Sequence, residues 1–146
     1  MRAVWPALAA LGVVNVAPAA AFLPGLRRTL LPTLAGHGDF CHVALTFDDG
    51  PDRESTPLFL DLLREREIQA TFFVLGKQVV RAPDVARRIV DEGHEIAVHG
   101  WTHSCLLLDD PVRTFTRLRN TCEVIETATD TKPTWFRAPY GVFSGC

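Results

Sequence analysis

The chain has 146 residues, of which 15 are lysine or arginine and 17 are aspartate or glutamate, so its formal net charge is −2. Hydrophobic residues make up 47% and charged residues 22%, which is typical of a globular domain and excludes a disordered chain. The length allows one domain, and the lack of a basic excess argues against nucleic acid as a partner. Nothing in the composition indicates a protein partner.

The N-terminal stretch differs in composition from the rest. Residues 3–26 carry no charge, and Arg2 precedes them while Arg27 and Arg28 follow. A positive start, an apolar middle and the small residues at 17–21 are typical of a secretory signal, which predicts an extracellular or cell-envelope location. Two alternatives stay open. One is a membrane contact or anchor through residues 3–26, and the other is an apolar segment packed on a cytoplasmic domain.

Proline and glycine recur between residues 24 and 39, a pattern typical of a linker. We therefore divide the chain into an N-terminal apolar segment with its linker, residues 1–40, and a folded domain, residues 41–146. Four cysteines are too few for a disulfide scaffold, and none forms a Cys-x-x-Cys pair. Free thiols are expected, and a disulfide remains open if the chain is exported. The cysteines are Cys41, Cys105, Cys122 and Cys146.

Four short apolar runs in the folded domain predict strands. The first run ends at the turn signal Asp48-Asp49-Gly50-Pro51, and the second ends at Gly76. The predicted strands are residues 43–47, 70–75, 95–98 and 134–137.

Segments with apolar residues at helical spacing separate these strands. Ser55 or Thr56 is the expected cap of the first helix, with Pro57 at its first position. Pro83 opens the second helix, and Asp110 precedes the third. The residues expected to face the core are Phe59, Leu62 and Leu63 in the first, Val85, Ala86, Ile89 and Val90 in the second, and Val112, Phe115, Leu118, Cys122 and Ile125 in the third.

This alternation of strands and helices predicts an α/β domain with a parallel sheet, in which sites lie at the carboxyl ends of the strands. Polar residues follow three of the predicted strands at that end. They are Asp48 and Asp49 after the first strand, His99 and His103 after the third, and Arg137 to Tyr140 after the fourth.

His99 and His103 are four residues apart, which lets two imidazoles bind one cation, and a carboxylate commonly completes such a zinc site. Asp48 or Asp49 can supply that carboxylate. Because adjacent strand residues point to opposite sides, one aspartate can bind the metal while the other takes a proton. The alternatives are polar surface histidines around Trp101 and a solvated Asp-Asp-Gly turn.

Other polar and aromatic residues have less specific interpretations. Arg137 suits a carboxylate partner, because its planar fork matches that group. Aromatic faces can pack on sugar rings, so Trp101, Trp135 and Tyr140 are candidates for a sugar site, although core packing is equally open for Trp135. The histidines given structural roles are His37, His42 and His94, which precede the strands.

Three segments together carry a resemblance to a known family. Residues 46–51 (TFDDGP), 99–103 (HGWTH) and 136–141 (FRAPYG) resemble the first three motifs of the polysaccharide deacetylases, the NodB-homology enzymes of carbohydrate esterase family 4. Residues 70–74 and 93–96 also resemble strands of that family. The resemblance covers about residues 41–146.

The resemblance implies a distorted (β/α) barrel of the NodB-homology type and a divalent metal, usually zinc. By position, the metal ligands would be Asp49, His99 and His103. The reaction implied is hydrolysis of acetyl groups on an acetylated glycan, such as the N-acetylglucosamine polymers peptidoglycan and chitin.

The same resemblance implies the catalytic roles. Asp48 would be the general base that takes a proton from the attacking water, and Arg137 would pair with Asp48. The backbone N–H of Tyr140 would bind the oxyanion of the tetrahedral intermediate.

The sequence departs from the family pattern at two places. Gly100 stands where the family usually has serine or threonine, and the family's later motifs, including the histidine general acid, are not found before Cys146. We therefore expect a barrel that is incomplete at the C-terminus and impaired activity for this chain alone. The alternatives are a noncatalytic remnant and a metal hydrolase of other non-peptide C–N bonds.

Overall fold

A computed structural model describes residues 23–30, 41–106 and 109–142 of the chain. Three parallel strands form one sheet in the order β1-β2-β3, which confirms the predicted α/β architecture with a parallel sheet. The strands are β1 (Thr46–Asp48), β2 (Thr71–Leu75) and β3 (Glu95–Gly100). The helices are α1 (Pro24–Leu30), α2 (Ser55–Glu65), α3 (Gly76–Arg81), α4 (Pro83–Asp91) and α5 (Pro111–Thr129), and a 3-10 turn covers Pro139–Gly141.

The strand register sorts the side chains between the two faces of the sheet. Phe47 lies beside Phe72 and Val74 beside Val98, and these residues pack in the core against the helices. Side chains alternate along a strand, so their neighbours point to the other face. This second face, called the inner face below, carries Thr46, Asp48, Phe73, Ala97 and His99.

The predicted fourth strand is shorter than expected. Residues 134–137 form a single bridge to β3, between Phe136 and Val98. The N–H of Val98 donates to the carbonyl of Trp135, and the N–H of Arg137 donates to the carbonyl of Val98, both at 2.9 Å. The bridge still sets Arg137 beside β3 and, by alternation, on the inner face.

The start of α2 corrects the predicted cap. The helix begins at Ser55, and the Asp52 carboxylate accepts hydrogen bonds from the N–H groups of Ser55 at 2.8 Å and Glu54 at 3.1 Å. These bonds hold the pKa of Asp52 below its usual value, the Ser55 bond having the largest effect. Pro57 is therefore the third helical residue and not the first.

The predicted core faces of two helices are partly wrong. In α2, Phe59 and Leu62 are 45% and 48% exposed, and Leu60 is fully buried in addition to Leu63. The inward face is therefore rotated from the expected one.

Helix α5 shows a similar rotation. The helix starts after Asp110 as predicted, and the Asp110 carboxylate also caps it by accepting from the N–H of Arg113 at 3.0 Å. Val112 and Phe115, however, are 73% and 67% exposed. Threonine Thr121 is buried instead, because its hydroxyl is satisfied by the carbonyl of Arg117 at 2.8 Å. The buried residues of α5 are Thr114, Thr121, Ile125 and Thr129, with Leu118 and Cys122 partly buried against the core.

Two helices were not predicted. The short helix α1 falls inside the predicted linker, and α3 begins directly after β2 at Gly76. A Cβ at Gly76 would come within 2.6 Å of the Trp101 ring, so only glycine allows this close approach.

Several predictions fall on residues outside the described ranges. These include most of residues 3–26, His37 and Cys146. Cys105 and Cys122 are free thiols, as expected, and burial raises the pKa of the Cys122 thiol. Among the helices of the described ranges, none combines the length and the apolar character that crossing a bilayer requires.

Candidate metal centre

Asp49, His99 and His103 meet at the carboxyl end of the sheet. One donor atom from each lies within 4.8 Å of the others. The carboxylate Oδ1 of Asp49 is 3.6 Å from Nε2 of His99 and 3.8 Å from Nε2 of His103. Tetrahedral zinc ligands about 2.1 Å from the ion lie about 3.4 Å apart, so the donor set and these two separations fit a catalytic zinc site with two imidazoles and one carboxylate.

The fold positions His99 tightly. Its side chain is 3% exposed, and its Nδ1 forms a 2.8 Å hydrogen bond with the backbone carbonyl of Arg137. A carbonyl only accepts, so Nδ1 is the protonated nitrogen of the neutral ring, which leaves Nε2, the atom that faces Asp49, available to a metal. The ring is therefore held in the tautomer that a metal ligand needs.

Backbone conformation brings the other two donors to the same point. Asp49 directly follows β1 with a φ of 72°, a left-handed conformation that turns its side chain away from the direction of Asp48. Gly100 has a φ of 108° at the end of β3, where the chain turns toward His103. A side chain at this φ would be strained, so glycine suits the local backbone at position 100.

Asp48 has a different set of neighbours. Its Oδ1 accepts a 2.7 Å hydrogen bond from Nη1 of Arg137, and its Oδ2 lies 4.0 Å from Nε2 of His99. Arg137 Nη1 also donates to the Thr46 hydroxyl at 2.9 Å. Asp48 thus faces the cluster of Asp49, His99 and His103 with one oxygen and Arg137 with the other. The two adjacent aspartates therefore lie in different surroundings.

One aromatic ring, that of Tyr140, packs against the cluster. The ring of Tyr140 meets the ring of His103 edge-on with centroids 4.4 Å apart, and Tyr140 has a left-handed φ of 57°. Trp135 is 57% exposed, which argues against the core role left open for it, whereas Trp101 is partly buried against Gly76.

Two histidines lie away from this centre, as expected. His42 is exposed before β1, and His94 is buried at the opposite end of β3, where its Nδ1 accepts a 3.3 Å hydrogen bond from the N–H of Ala70. Sequence reasoning missed the contacts of Thr46 and Phe73 with Arg137. Thr46 stands two residues before Asp48, and that spacing places both side chains on one face of a strand, so alternation could have indicated it.

Comparison with known families shows to which family the chain belongs. A family model described as polysaccharide deacetylase matches residues 36–145. The chain belongs to the polysaccharide deacetylase family. The resemblance found in the motifs is thereby confirmed.

Individual relatives agree with this assignment. The chain is 38% identical over 99 residues to the peptidoglycan-N-acetylglucosamine deacetylase of Listeria monocytogenes, covering 68% of this chain and 21% of the relative. It is 41% identical over 103 residues to the chitooligosaccharide deacetylase of a Bradyrhizobium strain, covering 70% of this chain and 47% of the relative. The chain thus spans less than half the length of these two relatives.

A solved structure supports the fold. The peptidoglycan deacetylase PdaC from Bacillus subtilis is 39% identical with a TM-score of 0.66, and the match covers 67% of this chain and 48% of that one. The parallel sheet and its helices therefore form part of the (β/α) fold of this family, which confirms the predicted fold class.

Proposed function

We propose that this protein is a zinc-dependent deacetylase that hydrolyses acetyl groups on an N-acetylglucosamine-type glycan, such as peptidoglycan or chitin. The observation that carries the proposal is the position of the Asp48–Arg137 pair beside the cluster of Asp49, His99 and His103. The relatives named for peptidoglycan and chitooligosaccharide deacetylation support the substrate class. An extracellular or cell-envelope location suits such a substrate and is part of the proposal.

Three residues would hold the metal. Asp49 supplies a carboxylate oxygen, and His99 and His103 each supply Nε2. When bound, a zinc ion lowers the pKa of water and polarises the carbonyl of the acetyl group. The hydrogen bond from His99 Nδ1 to the Arg137 carbonyl keeps this ligand oriented for that role.

Asp48 acts as the general base in this proposal. Its Oδ2 points toward the ligand cluster, where it can accept the proton of the attacking water. The Arg137 guanidinium holds Oδ1 at 2.7 Å and orients the carboxylate. The Arg137 side chain does not ligate the metal, so the effect of the guanidinium on the reaction passes through Asp48.

The segment after Arg137 would bind the acetyl group and the sugar. The backbone N–H of Tyr140 is proposed to donate to the oxyanion of the tetrahedral intermediate. The exposed Tyr140 ring beside His103 and the exposed Trp135 offer aromatic faces for a sugar ring.

The test measures zinc content and acetate release on the same preparations of the full chain. Wild type should hold about one zinc ion per chain and release acetate from N-acetylglucosamine oligomers, at the impaired rate expected for this chain alone. Asp49→Asn should lose both properties. Asp84→Asn, at an exposed carboxylate that pairs with Arg53, is the matched control and should keep both.

Two results would contradict the proposal. Zinc binding equal in Asp49→Asn and wild type would refute the ligand assignment. One zinc ion per wild-type chain without acetate release from N-acetylglucosamine oligomers would refute the proposed activity while leaving the metal centre intact.

A further inference from the structure

The inner face of the sheet carries one aromatic residue that the metal centre does not explain. Phe73 in β2 lies beside Asp48 in the strand register and is 8% exposed. Its neighbour Phe72 points to the opposite face, where it stacks on Phe47 with centroids 4.9 Å apart. The two consecutive phenylalanines therefore serve different sides of the sheet, and only Phe73 faces the site.

The Phe73 ring lies beneath the guanidinium of Arg137. The central carbon of that group is 3.9 Å from the ring centroid, a distance typical of a cation–π contact. Nη1 of the same group donates one hydrogen to Thr46 at 2.9 Å and one to Asp48 at 2.7 Å. The guanidinium is thus supported by a ring on β2 and by two acceptors on β1.

This support matters because the ion pair is partly open to solvent. The side chains of Arg137 and Asp48 are 39% and 36% exposed, and ion pairs at such sites are weak by themselves. A long arginine side chain also has many rotamers of similar energy. Both hydrogen bonds, to Thr46 and to Asp48, come from Nη1 and leave the plane of the guanidinium free to tilt. Contact with an aromatic face fixes that plane.

We propose that Phe73 is a positioning residue, whose ring holds Arg137 in the orientation in which Nη1 faces Asp48, with Thr46 as the second anchor. This role rests on the proposed function, in which Asp48 is the base. Phe73 supplies no ligand to the metal in this role. It acts through Arg137.

The test compares Phe73→Leu, which removes the ring, with Phe73→Tyr, which keeps it. Phe72→Leu is the matched control, because it removes a neighbouring buried ring that does not contact Arg137. The first readout is the NMR signal of the Arg137 side-chain Nε–H, assigned with Arg137→Lys. A group above an aromatic face is shifted upfield by the ring current, so the signal should move downfield in Phe73→Leu only.

The second readout is steady-state kinetics on the zinc-loaded full chain. Phe73→Leu should lower kcat by about three- to thirtyfold at nearly constant KM, in the range of a lost cation–π contact. Phe73→Tyr, which keeps the ring, should retain most of the wild-type kcat. In an Arg137→Gln background, Phe73→Leu should have no further effect on kcat, whereas a merely structural role would still lower it.

The outcomes separate the two proposals. An Arg137 signal that is the same in Phe73→Leu and wild type overturns the positioning role, as does an equal kcat loss in Phe72→Leu. Wild type without acetate release refutes the proposed function, and the NMR comparison then still decides whether Phe73 positions Arg137.

Discussion

Arg137 binds His99 through its backbone while its side chain binds Asp48. The carbonyl of Arg137 forms a 2.8 Å hydrogen bond with Nδ1 of His99, and its guanidinium donates to Asp48 at 2.7 Å. One residue therefore contacts both a proposed metal ligand and the proposed base. The bridge that places it is short, a single pairing of Phe136 with Val98.

The first prediction concerns the metal ligands. His103→Ala should weaken zinc binding by at least about a hundredfold, because loss of an outer-shell partner alone costs about 10–100-fold. Competition with a chelator of known affinity measures this. His42→Ala, at an exposed histidine away from the cluster, is the control and should bind zinc like wild type. Equal weakening in both variants would show that the effect is not local.

The second prediction separates charge from geometry at Arg137. Arg137→Lys keeps the positive charge but loses the planar group that binds Thr46 and Asp48 together and lies on Phe73. We expect kcat to fall by about ten- to a hundredfold, the effect of one or two hydrogen bonds to a charged group. Zinc content should stay unchanged.

The control for this substitution is Arg87→Lys, at an arginine that pairs with Asp130 away from the site. Its kcat should equal that of wild type. Full activity in Arg137→Lys would mean that a point charge is enough and that the fork geometry is not used.

The third prediction concerns pH and His94. Burial lowers the pKa of His94 below its ordinary value of 6.5, although the nearby Glu92 acts in the opposite direction. The unfolded chain therefore binds this proton more readily than the folded one. The stability that the neutral ring provides is fully present above pH 6.5 and is lost as the pH falls through the lower folded pKa.

His94→Gln should remove this part of the pH dependence, because glutamine does not titrate and its oxygen can still accept from the N–H of Ala70. Urea unfolding between pH 7.5 and about 5 measures the slope, which should be flatter than in wild type. His42→Gln should leave the slope unchanged. A slope that is equally steep in His94→Gln would assign the acid sensitivity to other groups.

The fourth prediction tests the corrected face of α5. Ile125 is fully buried, so Ile125→Ala should lower the free energy of unfolding by about 2–5 kcal/mol. Phe115 is 67% exposed, so Phe115→Ala should change it by no more than about 0.5 kcal/mol. Urea denaturation of both variants gives the comparison. If Phe115→Ala lowered the free energy of unfolding more than Ile125→Ala does, the buried face of α5 would be the one predicted from the sequence.

Local sequence patterns were reliable where one interaction dominates. Helix α5 starts after Asp110 as predicted, and the apolar run of β2 lies where expected, because a helix start and a buried strand depend on few neighbours. The side of α2 that faces the core and the length of the predicted fourth strand, residues 134–137, were less predictable. Phe59 and Leu62 are apolar yet half exposed, since burial depends on what the rest of the fold places against them.

The sequence by itself determined the family, the parallel α/β order and the six proposed site residues, because turn motifs and strand periodicity are local and the three motifs are specific in their spacing. Tertiary structure decided how those residues meet. The contacts of Arg137 with His99, Asp48, Thr46 and Phe73 join residues 38 to 91 positions apart along the chain.

Such contacts depend on strand register and on which face a side chain occupies. Neither is encoded in any single segment, because both arise only when the strands pair. The tautomer of His99 and the separate surroundings of Asp48 and Asp49 follow from that pairing. The physical reason is the alternation of side chains across a paired sheet, which brings residues distant in the chain to one face.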